Sequence, residues 1–341
     1  MNNKRNELYN YINKITRNIS VLDVGARGGI GWPWTDFDKK FVNSILIEPD
    51  PVEAKNIQDN LSKSTNTVVL PVAFWNNISS VPINLNKSPG TSSVFSPNLS
   101  FLDQFPDSDR FHADKIIKVD CTTIDYLIDN KQMPKFDFAK IDIQGGELAV
   151  LEGGLNYIKS NVIGLELEVE FVQLYENQPL FAEIDIFVRN SLGLELWDLS
   201  KAHWRYLNGT SSVPKKGRLI FGNALYLRPL QDLNKWLKEF PDDQACEKLL
   251  MLISTSLAYG FLDYASAILN DTSISKYMKD EVRKEIIKKI NSYGKGFSLL
   301  KNGNSFLFKI FHTLATFFKP SKNGRLSEGI LGSKKNGPFW I

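Results

Sequence analysis

The sequence predicts an α/β protein: an open sheet with helices on both faces, followed by a small C-terminal helical appendage. Three observations predict it. Ile19–Val24 is an apolar, β-branched run that leads straight into glycines. Residues 44–48 repeat the pattern and end in a carboxylate. Strand-like runs then alternate with helical segments as far as Leu227, and past Pro229 the patterns are helical. Continuous apolar runs are how buried parallel strands read, and their alternation with helices marks a sheet covered on both sides.

Taken in order, residues 6–16 form an amphipathic helix with Leu8, Ile12 and Ile15 on one side, expected to lid the first strand. Ile19–Val24 ends in Asp23 and the turn Gly25-Ala26-Arg27-Gly28-Gly29. Such a turn lets a ligand approach the backbone at the carboxyl edge of the sheet. A dinucleotide site needs a second glycine where Arg27 stands. Asp23 also disfavours a phosphate and favours a ligand with cationic and hydroxylated parts. S-adenosylmethionine (SAM), with an ammonium, a sulfonium and a ribose, meets that description. Residues 30–34 are an aromatic loop that either packs the sheet edge or walls a pocket. The second strand, 44–48, puts Glu48 about 20 residues beyond the turn, where this architecture sets an acid against ribose hydroxyls. Pro49 and Pro51 then open a helix over 52–61.

Residues 67–72 form the third strand. Ala73 and Phe74 follow at its edge, suited either to an adenine or to the core. A half-exposed strand over 81–85 precedes an insertion rich in Ser, Pro, Asp and Phe that runs to Phe111, either a lid or acceptor-binding loop or a surface loop. His112 just beyond it reads as a surface residue. Residues 116–119 form a strand, and Thr123 caps a short helix. Residues 136–143 form the central strand of the second half, carrying Lys140 and Asp142 at its carboxyl end, before Gly145-Gly146 and a helix over 147–155 whose first turn holds Glu147. In the strand 162–171, Glu166, Glu168 and Glu170 share one face by period two. That face must therefore reach solvent, a polar pocket or basic partners. A helix over 179–191 and strands over 194–199 and Arg218–Leu227 complete the sheet. Between those two strands lies a polar, aromatic loop, 200–206, with His203 as a candidate base.

A resemblance follows from three of these segments: Val21-Leu22-Asp23-Val24-Gly25-Ala26-Arg27-Gly28-Gly29, then Ile47-Glu48-Pro49-Asp50-Pro51, then the run Lys140-Ile141-Asp142-Ile143-Gln144-Gly145-Gly146-Glu147 and onward to Gly153. Together they resemble the FkbM family of SAM-dependent methyltransferases over roughly residues 18 to 228. The chain departs from the family's habit at Gln144, commonly Glu, and at Arg27, often Asn. The resemblance implies a Rossmann-like class I methyltransferase sheet of seven strands, SAM as cofactor and O-methylation of an acceptor hydroxyl.

With 43% hydrophobic and 12% aromatic residues in 341, the chain can bury a substantial core. Cys121 and Cys246 form neither a disulfide framework nor a zinc motif and fit a reducing, cytoplasmic compartment. The N-terminal 19 residues lack the apolar core of a signal peptide, and no run of about 18 apolar residues is present. A net charge of +3 gives no reason to expect nucleic-acid binding. That total conceals an asymmetry. Residues 286–341 hold ten of the 41 basic residues and one of the 38 acids, so the body before them carries more acid than base. We therefore expect a methyltransferase domain over 1–230, a helical appendage over 231–292 and a basic, aromatic-rich tail over 293–341. In the tail, 305–319 carries Leu307, Ile310, Phe311, Leu314 and Phe318 at helical spacing. This stripe either makes peripheral contact with a membrane or packs on the appendage.

The expected site has Asp23, Gly25, Arg27, Gly28, Glu48, Ala73 and Phe74 around SAM, with Asp142 as the first candidate for orienting or deprotonating the acceptor and His203 and Glu168 as alternates. No metal cluster is evident, although Asp142 with a glutamate offers two ligands. The expected acceptor is a small molecule or glycan, preferentially a sugar hydroxyl in polysaccharide biosynthesis. A non-catalytic scaffold on the same fold is the competing reading, and a nicotinamide oxidoreductase fails at Arg27.

Overall fold

The structure, a computed structural model, describes residues 2–37, 39–61, 66–209, 217–293, 310, 311, 313, 314 and 325–328. Helix α1 (Asn2–Ile15) precedes β1 (Ile19–Val24), which is buried along its whole length. Then come β2 (Val42–Ile47), α2 (Pro51–Asn60), β3 (Thr67–Leu70), β4 (Ala73–Phe74), β5 (Ser79–Asn86), α3 (Leu99–Leu102), β6 (Ala113–Thr122) and α4 (Ile124–Asp129). The second half supplies β7 (Phe138–Ile141), α5 (Glu147–Gly153), α6 (Leu155–Asn161), β8 (Gly164–Glu170), α7 (Phe181–Phe187), β9 (Glu195–Leu199), β10 (Lys201–Trp204) and β11 (Arg218–Leu227). Helices α8 (Leu230–Leu237), α9 (Asp242–Tyr259), α10 (Leu262–Asn270), α11 (Thr272–Ser275) and α12 (Asp280–Tyr293) follow, and β12 (Arg325–Glu328) comes last.

The main sheet has the order β12-β10-β11-β8-β7-β1-β2-β3, with β9 also on β11. Strands β3 through β8 in this order are parallel, whereas β11 is antiparallel to β8, β9 and β10. Consecutive strands run outward from β1 on one side and from β7 on the other. The β1/β7 boundary is thus the switch point at whose carboxyl ends ligands bind in open α/β sheets. Among the described residues the sheet counts nine strands where seven are expected. Strands β9 and β10 hold one register across Ser200: Leu199 lies opposite Ala224 and Ala202 opposite Phe221, so they fill a single place in the sheet. The chain bends there because Ser200 crosses close over Gly222, where a Cβ would lie 1.9 Å from the Ser200 carbonyl oxygen. Strand β12 then adds an outer edge to β10. The expected loop at 200–206 is accordingly a strand as far as Trp204. The helix expected over 147–155 also divides, ending at Gly153, which packs backbone to backbone against Trp75, and resuming at Leu155.

Alternation along the strands builds two core layers. Leu22, Val24, Ala139, Ile141, Leu165, Leu167 and Val169 face α4 to α7. Ile19, Val21, Phe138, Leu225 and Leu227 face α1 and α8 to α10. The C-terminal helices therefore cover the sheet's second face, and the core runs on without a gap at residue 230. An ion cluster fastens this face. Fully buried Asp137 accepts two 2.7 Å hydrogen bonds from Arg17, one of 3.0 Å from Lys248 of α9 and one of 3.0 Å from the Ser20 amide. A smaller sheet, β4-β6-β5, carries the insertion. Leu102, Phe105 and Phe111 of that insertion share a core with Tyr175, Trp204 and Ile220, so it is a packed unit and not a loose surface loop. Among the described residues no helix is long and apolar enough to cross a membrane.

Candidate functional site

Two groups of residues meet at the carboxyl ends of β1 and β7. The first is the glycine turn. Gly25 adopts φ +83, and a Cβ there would lie 2.1 Å from the Asp142 carbonyl oxygen, so only glycine lets β1 and β7 close together. The amides of Gly25 and Ala26 both donate to the Ile47 carbonyl, tying the turn to β2. Gly28 and Gly29, also at positive φ, have nothing within 4 Å of the Cβ position and leave the backbone open to a ligand. Asp23 is buried, and its Oδ1 has no hydrogen-bond partner; Lys140 Nζ lies 3.8 Å away. Burial pushes the Asp23 carboxyl up to about 6, against the pull of Lys140. Glu48 stands just past β2, where its Oε1 accepts the Asp50 amide at 2.9 Å. Burial raises its carboxyl, and exposed Arg27 offsets part of the rise. An orphaned carboxylate oxygen, a second acid at ribose distance along the chain and an open backbone turn fit the cationic and hydroxylated parts of SAM.

The second group is a row of carboxyls on the same sheet face. Parallel register sets Lys140 beside Asp23 on one side and beside Glu166 on the other. Lys140 Nζ lies 3.2 Å from Asp142 Oδ2. Burial lowers its affinity for a proton, but Asp142, Asp23 and Glu166 together hold it well above its ordinary value. Asp142 is kept below the usual carboxylate range: burial opposes this, but Lys140 and a hydrogen bond from Glu168 prevail. Glu168 goes the other way, raised well above its ordinary value by burial and by Asp142, Glu170 and Glu147. The two form a hydrogen-bonded pair whose members are pushed in opposite directions. Gln144 holds both, its Nε2 donating to Asp142 Oδ1 at 3.2 Å and to Glu168 Oε2. The Gln144 Oε1 accepts from the Tyr175 hydroxyl at 3.1 Å, and Gln144 sits at φ 63, a left-handed conformation that costs a non-glycine residue about 1–2 kcal/mol. The insertion braces it, with Ser93 Oγ donating to the Gln144 carbonyl at 2.6 Å. Glu166 is satisfied by Asn223 at 2.9 Å and by the Tyr259 hydroxyl of α9 at 2.6 Å. The acidic face therefore meets a polar pocket of amides and phenols. In this row Asp142 keeps 31% of its side chain exposed, which leaves it open to a substrate.

The profile of the methyltransferase FkbM domain matches residues 23–194, half of the chain. The chain belongs to the FkbM methyltransferase family. Its fold is mixed α/β, with a large and mostly parallel sheet. Comparison with curated proteins gives no match. Among solved structures the chain is similar to methyltransferase FkbM from Methylobacillus flagellatus KT, with 15% identity and a TM-score of 0.35, over 64% of this chain and 47% of that one. The match thus spans about half the length of that protein. It is also similar to precorrin-6y C5,15-methyltransferase from Geobacter metallireducens GS-15 (11% identity, TM-score 0.32, 66% of this chain and 88% of that one). A third is M. capricolum TrmK in complex with S-adenosyl-homocysteine (13% identity, TM-score 0.30, 84% of this chain and 95% of that one). These likenesses are too distant to carry function.

Within this FkbM domain Asp23, Gly25, Arg27, Gly28, Glu48, Asp142 and Glu168 lie where the strand order reverses. Ala73 and Phe74 do not join the main sheet: they form β4 on β6, and the Phe74 ring is buried in the core layer facing α4 to α7 with Ile124 and Val150, so core packing describes it. His203 is buried on β10, opposite Leu219 and Leu326, with β11 between it and β8, so it stands apart from the Asp142–Glu168 pair. Among the described residues no three acid, histidine or cysteine side chains group as a metal site. Lys140, Gln144, Tyr175 and Tyr259 are the members that sequence reasoning does not select. Lys140 had a local signal, two residues before Asp142, whereas the tyrosines come from distant segments and had none.

Proposed function

We propose that the chain is a SAM-dependent O-methyltransferase acting on a hydroxyl, that of a sugar in a surface glycan or glycolipid. The observation that carries this reading is the Asp142–Glu168 pair, two inward-facing carboxyls beside the glycine turn that share a hydrogen bond and are both held by Gln144, one drawn below and one pushed above the ordinary range. The bound cofactor supplies a methyl group already made electrophilic by its sulfonium. Asp23 takes the ammonium of the methionine end, Glu48 accepts from the ribose hydroxyls, and Gly25 and Gly28 let the backbone close around both. Arg27 near Glu48, with the Asp50 amide, offsets part of the rise that burial imposes on its carboxyl. The partly open Asp142 side chain orients the acceptor hydroxyl and takes its proton, a task worth about 10²–10⁴-fold for a positioned base. Lys140 keeps Asp142 charged before that transfer. Gln144 donates to an oxygen of each carboxyl and keeps the two aligned while Asp142 receives the acceptor's proton. Acids suit sugar hydroxyls, and Asp142 keeps part of its side chain exposed to receive one.

Calorimetry of the full chain with SAM tests the cofactor, and absence of binding at millimolar concentration would overturn it. Mass spectrometry of cellular glycans with and without the gene tests the acceptor. The expected result is one glycan species lighter by a single methyl substitution in the absence of the gene, and an unchanged glycan profile counts against the assignment.

A further inference from the structure

The proposed chemistry leaves one feature unused, the apolar stripe in the tail. Residues 310, 311, 313 and 314 are helical, and their large apolar side chains face water: Ile310 is 40% exposed, Phe311 66% and Leu314 49%. They do not pack on α8 to α12, whose shared core contains none of them. Between Glu285 and Glu328 the sequence holds eight lysines and arginines and no acid. Exposed apolar side chains on a helix with uniformly basic flanks are the chemistry of a segment lying in an anionic bilayer interface. The basic residues are drawn to the negative surface, and the apolar ones enter below the headgroups.

The sheet determines what such a contact would bring to the membrane. Strand β12 pairs antiparallel with β10, Arg325 opposite Trp204 and Glu328 opposite Lys201. Eleven chain steps separate Leu314 from Arg325, a span of at most roughly 40 Å at full extension. The apolar helix therefore stays within roughly 40 Å of the β10 edge, which borders the aromatic core that the insertion shares with Trp204. We infer that Ile310, Phe311 and Leu314 form a docking surface for anionic phospholipid bilayers, which keeps the β10 edge within that tether of membrane-anchored acceptors. The membrane contact stands without the proposed methyl transfer; only its consequence for the acceptor rests on that reading.

The test is vesicle flotation of the full chain with phosphatidylcholine alone and with phosphatidylcholine containing phosphatidylglycerol, at low and high salt. The expected result is flotation with the anionic vesicles that weakens in high salt. The triple variant Ile310→Ser, Phe311→Ser, Leu314→Ser keeps every charge and should lose more than tenfold in bound fraction, with an unchanged thermal melting curve. Neutralising Lys309, Lys319 and Lys322 to Gln should weaken flotation and flatten its salt dependence. Equal flotation with neutral and anionic vesicles, or wild-type flotation by the triple variant, overturns the inference. So does a wild-type chain that stays off vesicles and is a dimer in solution while the triple variant is a monomer, because the stripe would then be an interface between copies. Methyl transfer and SAM binding do not enter these readouts, so their failure is separate.

Discussion

Asp137→Ala provides the most direct test of how the C-terminal helices are held to the sheet. The Asp137 carboxylate is fully buried and accepts four hydrogen bonds, three of them from cations. Its removal leaves Lys248, with only 10% of its side chain exposed, without a counter-charge, although its bond to the Asn161 carbonyl at 2.7 Å survives. Breaking one partner of a buried pair costs about 3–5 kcal/mol. Arg17 is 41% exposed and can turn to water or to Glu247, so its share is discounted and the lower end, about 3 kcal/mol, is expected. Against a total stability of about 5–15 kcal/mol this is a large loss. Urea unfolding of wild type, Asp137→Ala, Lys248→Met and the double variant forms a cycle that separates the pair from its parts. The double variant should cost clearly less than the sum of the singles, because no unpaired charge is left in the core. Asp137 is held below the usual carboxylate range: burial pushes it up, but Arg17 and Lys248 more than compensate. Its contribution should thus be fully present above the unfolded value near pH 3.9 and fade as pH falls below it. A cost under about 1 kcal/mol, or strict additivity in the double variant, would refute the argument.

Other consequences are equally measurable. Burial raises the Glu147 carboxyl to about 7, so between its unfolded value of about 4.3 and that point the folded state binds the extra proton and stability falls as pH rises. Glu147→Gln keeps an acceptor for the Ile143 amide, bound at 2.8 Å, and should flatten that decline in melts between pH 5 and 8. Glu48→Ala should weaken SAM binding by about 1–3 kcal/mol in calorimetry, and an unchanged affinity in a folded variant removes Glu48 from the cofactor site. Asp142→Asn should lower single-turnover rate at saturating SAM far more than SAM affinity; the opposite pattern assigns Asp142 to the cofactor. Gly25→Ala should cost more than the 1–2 kcal/mol of a left-handed residue, about that plus the displacement of β7, and thermal melting reads the loss.

What was legible in the sequence is what depends on short-range pattern. Val21 to Gly29 reads as strand and turn because apolar runs and glycines act on their own backbone, and Arg218–Leu227 is recovered residue for residue. Asp23 and Glu48 are legible because each ends a strand and adjacent parallel strands bring their ends together. The alternation of Glu166, Glu168 and Glu170 also placed them on one face, but not what faces them. Their partners depend on register between β7 and β8, on Asn223 of an antiparallel strand and on Tyr259, 93 residues away in a helix packed on that same face. Residues 200–206 look like a loop because their polar and aromatic mixture lacks alternation, and pairing with β11 and β12 makes 201–204 a strand. Phe74 shows the same limit, since an aromatic at a strand end serves core or ligand equally well until its neighbours are known. The sequence by itself determined the order of elements, the switch-point architecture and which carboxylates end at its edge, because these follow from periodicity and backbone preference. Only the tertiary structure decided that Asp142 and Glu168 share a hydrogen bond and that Gln144 donates to both, because that pairing is set by register, burial and charges from segments far apart in the chain.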